Sequence, residues 1–145
     1  MNIDVTAERY HDICFGHRVT GHENKCGHLH GHNYRFYFEV EPVDTLDNVG
    51  RVVDFSVMKS TLCEWLEQNY DHKFIIWEQD PHAALLKAID PDGVLLISYN
   101  PTAENIALNM VENVGPEVLA GTGCRLVRCT VQETRKCSAT ATLKK

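Results

Sequence analysis

The clearest regularity in the chain is an alternation that begins after residue 32: Tyr34, Phe36, Phe38 and Val40 are apolar, with Asn33, Arg35, Tyr37 and Glu39 between them. A period of two marks a strand with one face on a core, so a strand is predicted over about residues 30 to 41. Upstream, Ile3, Val5, Tyr10, Ile13, Phe15 and Val19 occur without proline and predict an opening strand within 2 to 19, with room for a bulge, that ends near Gly16 and His17. Residues 20 to 29, rich in Gly, His and Asn, predict the loop that makes these strands an antiparallel pair.

A short strand is predicted at Arg51-Val52-Val53, followed by Asp54 as an N-cap. Phe55, Met58, Leu62, Trp65 and Leu66 then recur at helical spacing, which predicts an amphipathic helix from 55 to 69. Pro81 opens a shorter helical run, Ala83 to Ile89, stopped by Pro91-Asp92-Gly93, and Val94 to Ile97 reads as a short buried strand. Asn100 to Glu104 supplies a turn, a cap and an acidic first turn for a helix carrying Ile106, Met110 and Val114, which Gly115-Pro116 ends or kinks. The last strand, about 124 to 134, sets Val127, Cys129, Val131 and Glu133 on one face, so a carboxylate closes an apolar row and needs a partner. This order predicts an α+β fold, an antiparallel four-stranded sheet with helices on one face. At 145 residues the chain reads as a single domain, 1 to 145.

Composition narrows the function more than the fold. Hydrophobic residues at 43% and charged residues at 23% exclude a disordered chain, and a net charge of -6 without a basic stripe argues against a nucleic-acid surface. An anionic substrate would need local positive potential, for which Arg18, Lys25 and Lys73 are placed close in sequence to the chemistry-bearing residues. No stretch has the length of a membrane span and no apolar leader opens the chain, which predicts a cytoplasmic protein without a membrane partner. The six cysteines include no Cys-x-x-Cys and read as reduced thiols.

The chemistry gathers around Cys26 and the histidines that follow it. His30 and His32 share a strand face, and the returning first strand brings His17 beside them. Three histidines leave one coordination position open, the pattern of catalytic zinc. Cys26 admits two roles: a fourth ligand that closes the site, giving a non-catalytic zinc-stabilised binding module, or a reactive thiolate. Asp71-His72 reads either as an orienter with a proton-transfer group or as a capped turn after a helix. Glu133 reads either as an acceptor of two parallel N–H bonds from an amide-like heterocycle edge or as a strand-end glutamate in water, and Thr102 reads as a helix cap.

Taken in order, His17-Arg18, Cys26-x-x-x-His30-Gly-His32, Val53-Asp54-Phe55, Asp71-His72, Pro101-Thr102-Ala103-Glu104-Asn105 and Val131-Gln132-Glu133-Thr134 resemble the 6-pyruvoyltetrahydropterin synthase / 6-carboxytetrahydropterin synthase family from about residue 9 to 135. The resemblance implies the tunnelling fold, with subunits assembled into a barrel, usually a homohexamer built from two trimers, and active sites between subunits. It implies that His17, His30 and His32 hold Zn2+, that Cys26 is the general base, and that Asp71 and His72 complete an intersubunit triad. Glu133 would anchor a pterin ring and Thr102 would line its pocket. The implied enzyme is a zinc-dependent lyase that converts 7,8-dihydroneopterin triphosphate into 6-carboxy-5,6,7,8-tetrahydropterin, losing triphosphate and acetaldehyde, on the 7-deazaguanine (queuosine) route. The alternative in the family is the 6-pyruvoyl product of the tetrahydrobiopterin route; a folate-linked aldolase variant would carry Glu where Cys26 stands. Phe15-Gly16 before His17, and His28, depart from the family's usual pattern and bear on fine specificity, and the segment from about 75 to 93, longer than in the shortest bacterial members, bears on the substrate mouth.

Overall fold

The computed structural model describes residues 2–22 and 25–144; residues 23 and 24 of the expected 20 to 29 loop lie outside the described residues. Strand β1 (Ala7–His17) and strand β2 (His30–Pro42) pair antiparallel along their whole length, from Ala7 opposite Val40 to His17 opposite His30. Strand β5 (Cys124–Glu133) runs antiparallel on the other side of β2, and β6 (Cys137–Thr142) pairs antiparallel with β5. On the far side, β3 (Phe74–Trp77) is parallel to the end of β1, and β4 (Val94–Ile97) is parallel to β3.

The sheet is therefore six-stranded and mixed, in the order β4-β3-β1-β2-β5-β6, rather than antiparallel and four-stranded. The two additional strands carry little pattern of their own. Phe74 to Trp77 is four residues long and apolar throughout, so no alternation marks it; tertiary pairing recruits it, with Gly16 N donating to Lys73 O at 2.9 Å. Cys137 to Thr142 has only small side chains and is ordered by the edge of β5. The strand expected at 51 to 53 is absent because Asp47 ties that segment into a loop, its carboxylate accepting from Arg51 N at 2.8 Å and from Arg51 Nε at 2.9 Å. In β5 a bulge sets Leu126, not Val127, opposite Val40, so the inward row runs Leu126, Cys129, Val131, Glu133.

The expected helix over 55 to 69 forms as three continuous segments, Phe55–Met58, a π turn at Lys59–Cys63, and Glu64–Asn69, capped by Asp54, whose carboxylate accepts from Ser56 N at 3.0 Å. The later helix likewise runs Ala103–Asn109, a π turn Met110–Val114, then Gly115–Val118. Gly115-Pro116 does not end it: the π turn precedes the proline, and Gly115 lets the helix lie on β5, where an added Cβ would come within 2.8 Å of Leu126 Cβ. Met58, Leu62, Leu66, Ile106, Met110 and Val114 from these helices share one core with Ile13, Phe15, Phe36, Phe38, Cys129 and Val131 of the sheet. Burial of that apolar face, not intrinsic helix propensity, holds helices this short in place. The outward residues Tyr10, Asp12 and Cys14 are exposed, and Arg35 there grips Asp12 at 2.7 and 3.0 Å with its guanidinium 4.1 Å above the Tyr10 ring. No described helix is long and apolar enough to cross a membrane, and the six cysteines are unpaired with one another.

Candidate metal centre and adjoining cavity

The β1–β2 register decides which side chains meet at the end of the core. It sets His17 opposite His30, Gly16 opposite Gly31, and Phe15 opposite His32. A Cβ at Gly16 would lie 2.7 Å from the Phe74 ring and 3.2 Å from His30 O, so glycine is what allows β3 to close over the histidine hairpin.

His17, His30 and His32 converge, their nearest ring nitrogens lying within 4.8 Å of one another. His17 Nδ1 donates to Pro101 O at 2.7 Å and His30 Nδ1 donates to His28 O at 2.7 Å. A carbonyl only accepts, so both Nδ1 atoms carry the proton, and in the neutral rings both Nε2 atoms carry a lone pair. Those Nε2 atoms are 3.1 Å apart. Two facing lone pairs at that distance repel, and a cation between them removes the repulsion. Bonds of about 2.0–2.1 Å at a tetrahedral ion would set two such nitrogens about 3.3 Å apart, close to the spacing already present. His17 is 1% exposed. Burial, with the neighbouring His30 and His32 charges, lowers its pKa to about 4 against the Pro101 hydrogen bond, so the ring is neutral and able to ligate at neutral pH.

Glu133 overhangs this cluster, with Oε1 4.0 Å from His17 Nε2 and Oε2 4.0 Å from His32 Nε2. Tyr34 lies beneath it: its hydroxyl is 3.1 Å from His17 Nε2 and 3.3 Å from Glu133 Oε1. The Tyr34 ring is buried and stacked on Phe15, centroids 3.8 Å apart and planes 6° from parallel. Burial, and then the Glu133 carboxylate, push the Tyr34 hydroxyl's pKa far up, so it remains a donor.

A cavity of about 290 Å³ opens beside the cluster, bordered by His17, Cys26, Thr102 and Glu133 among others. Cys26 stands on a 3-10 turn, Lys25–Gly27, tethered where Val19 N donates to Cys26 O at 2.9 Å. Among the described residues, the group that could hold a metal is the three histidines, and Cys26 is not in it. Thr102 both borders the cavity and caps the 103–118 helix, its hydroxyl accepting from Asn105 N at 3.1 Å. Asp71 and His72 are brought elsewhere, to a cavity of about 920 Å³ bordered by outward residues that include Asp12, Cys14 and Arg35. There Asp71 Oδ2 is 3.0 Å from His72 Nδ1 and Asp71 Oδ1 accepts from Cys14 N at 3.1 Å. Burial raises the Asp71 pKa, but the Cys14 N–H and His72 outweigh it and hold the carboxyl below its usual range. The His72 ring is 81% exposed, on a residue with φ of 60°. A cleft of about 580 Å³ past Gly16 and Gly31 borders both His72 and His32.

Two of the three cations expected near the site are engaged. Arg18 Nε lies 3.2 Å from the buried Asp80 carboxylate and its terminal nitrogen 3.0 Å from His82 Nδ1, while Lys73 Nζ donates to Asp92 O at 2.7 Å. Asp80 also accepts from Thr20 Oγ1 at 2.6 Å and His82 N at 2.8 Å, pinning the chain that follows His17. The orienting carbonyls of Pro101 and His28, and the Tyr34 hydroxyl, were beyond sequence reasoning. Asn100-Pro101 signals a turn without revealing its acceptor, and Tyr34 sits in an apolar row that reads as core.

The family model described as 6-pyruvoyl tetrahydropterin synthase matches residues 6–144. A Rickettsia felis protein named 6-carboxy-5,6,7,8-tetrahydropterin synthase is 32% identical over 123 residues, 84% of this chain and 88% of that one. A crystal structure of an uncharacterized Wolinella succinogenes protein superposes with a TM-score of 0.83 at 21% identity, covering 99% of this chain and 100% of that one. Caenorhabditis elegans 6-pyruvoyl tetrahydropterin synthase superposes with a TM-score of 0.66 at 22% identity, covering 97% and 96%. These two share the fold.

Proposed function

Because the chain belongs to the 6-pyruvoyl tetrahydropterin synthase family, we propose that it is a 6-carboxy-5,6,7,8-tetrahydropterin synthase. It would convert 7,8-dihydroneopterin triphosphate with loss of triphosphate and acetaldehyde, a lyase reaction on the 7-deazaguanine route. The observation that carries this reading is a cavity beside the three-histidine centre, reached by its His17, that is also bordered by a thiol outside that centre and by a carboxylate. The name of the Rickettsia relative favours the carboxy product over the pyruvoyl one.

In this reading Glu133 accepts two N–H bonds from the pterin edge and fixes the ring in the cavity. His17, His30 and His32 would hold zinc, which would supply a Lewis acid for the side-chain oxygens of the substrate. Cys26, as thiolate, takes a proton from the side-chain carbon, and His72, oriented by Asp71, exchanges protons on the opposite side. Thr102 lines the cavity wall while it holds the helix start. Asp71 and His72 act from a neighbouring subunit of a homo-oligomer, a hexamer of two trimers. Their position in a cavity other than that of Cys26 within one chain supports this sharing.

Replacing Cys26 by Ala separates this reading from a closed structural site. The variant should keep its zinc and lose turnover by about 10²–10⁴-fold, the range of a general base. Loss of the metal together with the thiol would instead mark Cys26 as a ligand of a non-catalytic module.

A further inference from the structure

The Tyr34 hydroxyl has one proton and, among the described residues, two acceptors within reach. His17 Nε2 is at 3.1 Å and Glu133 Oε1 at 3.3 Å. The His17 ring cannot turn away to offer a proton instead, because its Nδ1–H is held by Pro101 O at 2.7 Å. Nor can the tyrosine move freely, with its ring buried and lying flat on Phe15 at 3.8 Å. Without a metal, the single proton is shared between imidazole and carboxylate. A cation on His17 Nε2 takes up that lone pair, which leaves Glu133 as the acceptor of the two.

We propose that Tyr34 is a positioning residue that couples metal occupancy to pterin recognition: metal on His17 turns the Tyr34 hydroxyl onto Glu133 Oε1 and fixes the carboxylate for the pterin edge. This rests on the assignment of Glu133 as pterin anchor. Coupling of this kind is reciprocal, so a bound pterin ring should in turn strengthen metal retention. It needs no movement of the fold, only the redirection of one O–H between two partners already in reach.

The test uses 7,8-dihydropterin without a side chain, so that the probe has no hydroxyl to offer the metal, and measures its binding to zinc-loaded and zinc-stripped protein by fluorescence titration. The wild type should bind it about tenfold more tightly with zinc, in line with one charge-assisted hydrogen bond. Tyr34→Phe keeps the ring stack and removes the hydroxyl. It should hold zinc as the wild type does, bind the probe about tenfold more weakly than the zinc-loaded wild type, and show the same affinity with and without zinc. Equal wild-type affinity in the two metal states overturns the coupling without recourse to any variant. A Tyr34→Phe protein that keeps the full zinc response also overturns it. If the zinc-loaded wild type does not bind dihydropterin at all, the Glu133 assignment itself fails and takes the coupling with it.

Discussion

His17 and His30 face each other across the β1–β2 pair with their Nε2 atoms 3.1 Å apart, each ring held by a carbonyl on its far nitrogen. Preorganised lone pairs of this kind mean that losing one ring costs more than one bond, because the site then has two ligands and no closed geometry. His30→Ala and His17→Ala should each purify with little zinc and fail to retain added zinc against a mild chelator, as measured by elemental analysis. A variant that retains one equivalent would place the metal elsewhere.

The neutral state of His17 has a pH signature in the zinc-stripped protein. Its pKa is lowered from 6.5 to about 4 by burial, so between those values the unfolded chain binds more protons than the folded one. The part of the stability that rests on neutral His17 should therefore be full above pH 6.5 and be lost as the pH drops towards 4, with the urea midpoint as readout. His17→Gln should flatten that slope; a slope unchanged by the substitution would assign it to other groups.

Glu133→Gln presents a donor where, in the proposed binding mode, the pterin edge also donates. Binding of dihydropterin should weaken by about 2–4 kcal/mol, a loss of roughly 30- to 1000-fold, since a charge-assisted pair loses one partner. Affinity equal to wild type would return Glu133 to a solvated strand end.

Gly16 is tested through packing. An alanine there meets the Phe74 ring at 2.7 Å and His30 O at 3.2 Å, so strand, ring or both must shift. Gly16→Ala should cost about 1–3 kcal/mol and lower the thermal midpoint by several degrees, with weaker zinc retention because the His30 backbone is displaced. An unchanged melt would mean that Phe74 swings away freely.

The proposed sharing of the site between subunits is tested by mixing. Cys26→Ala and His72→Ala oligomers should each be nearly inactive, and refolding them together should restore about one quarter of wild-type activity, the chance that an independent two-subunit site receives two intact contributions. If mixing restores nothing while both variants assemble and bind zinc, His72 must reach the site within its own chain, by way of the cleft it shares with His32.

Much of this arrangement is legible in the sequence because it rests on local periodicity. The alternation from Tyr34 to Val40 fixes the face of β2, and with it the side on which His30 and His32 stand. Asp54 and Thr102 announce two helix starts, and both cap as expected. What escapes is set by distant partners. Phe74 to Trp77 becomes a strand because β1 offers it hydrogen bonds, and Cys137 to Thr142 because β5 has a free edge. Arg18 appears available to an anion until the fold brings Asp80 to it. Tyr34 could be assigned to the core from its pattern, but its hydroxyl acquires meaning only once β5 sets Glu133 opposite it.

Pterin chemistry at this site, with a metal on three histidines and the Cys26 thiol, is the function proposed for the chain. The most direct measurement incubates the zinc-loaded protein with 7,8-dihydroneopterin triphosphate and identifies the products by mass. The expected result is 6-carboxy-5,6,7,8-tetrahydropterin with equimolar acetaldehyde and triphosphate, abolished in Cys26→Ala. Release of triphosphate with the side-chain carbons retained would contradict the carboxy product, and unchanged substrate with zinc fully bound would contradict the catalytic reading as a whole.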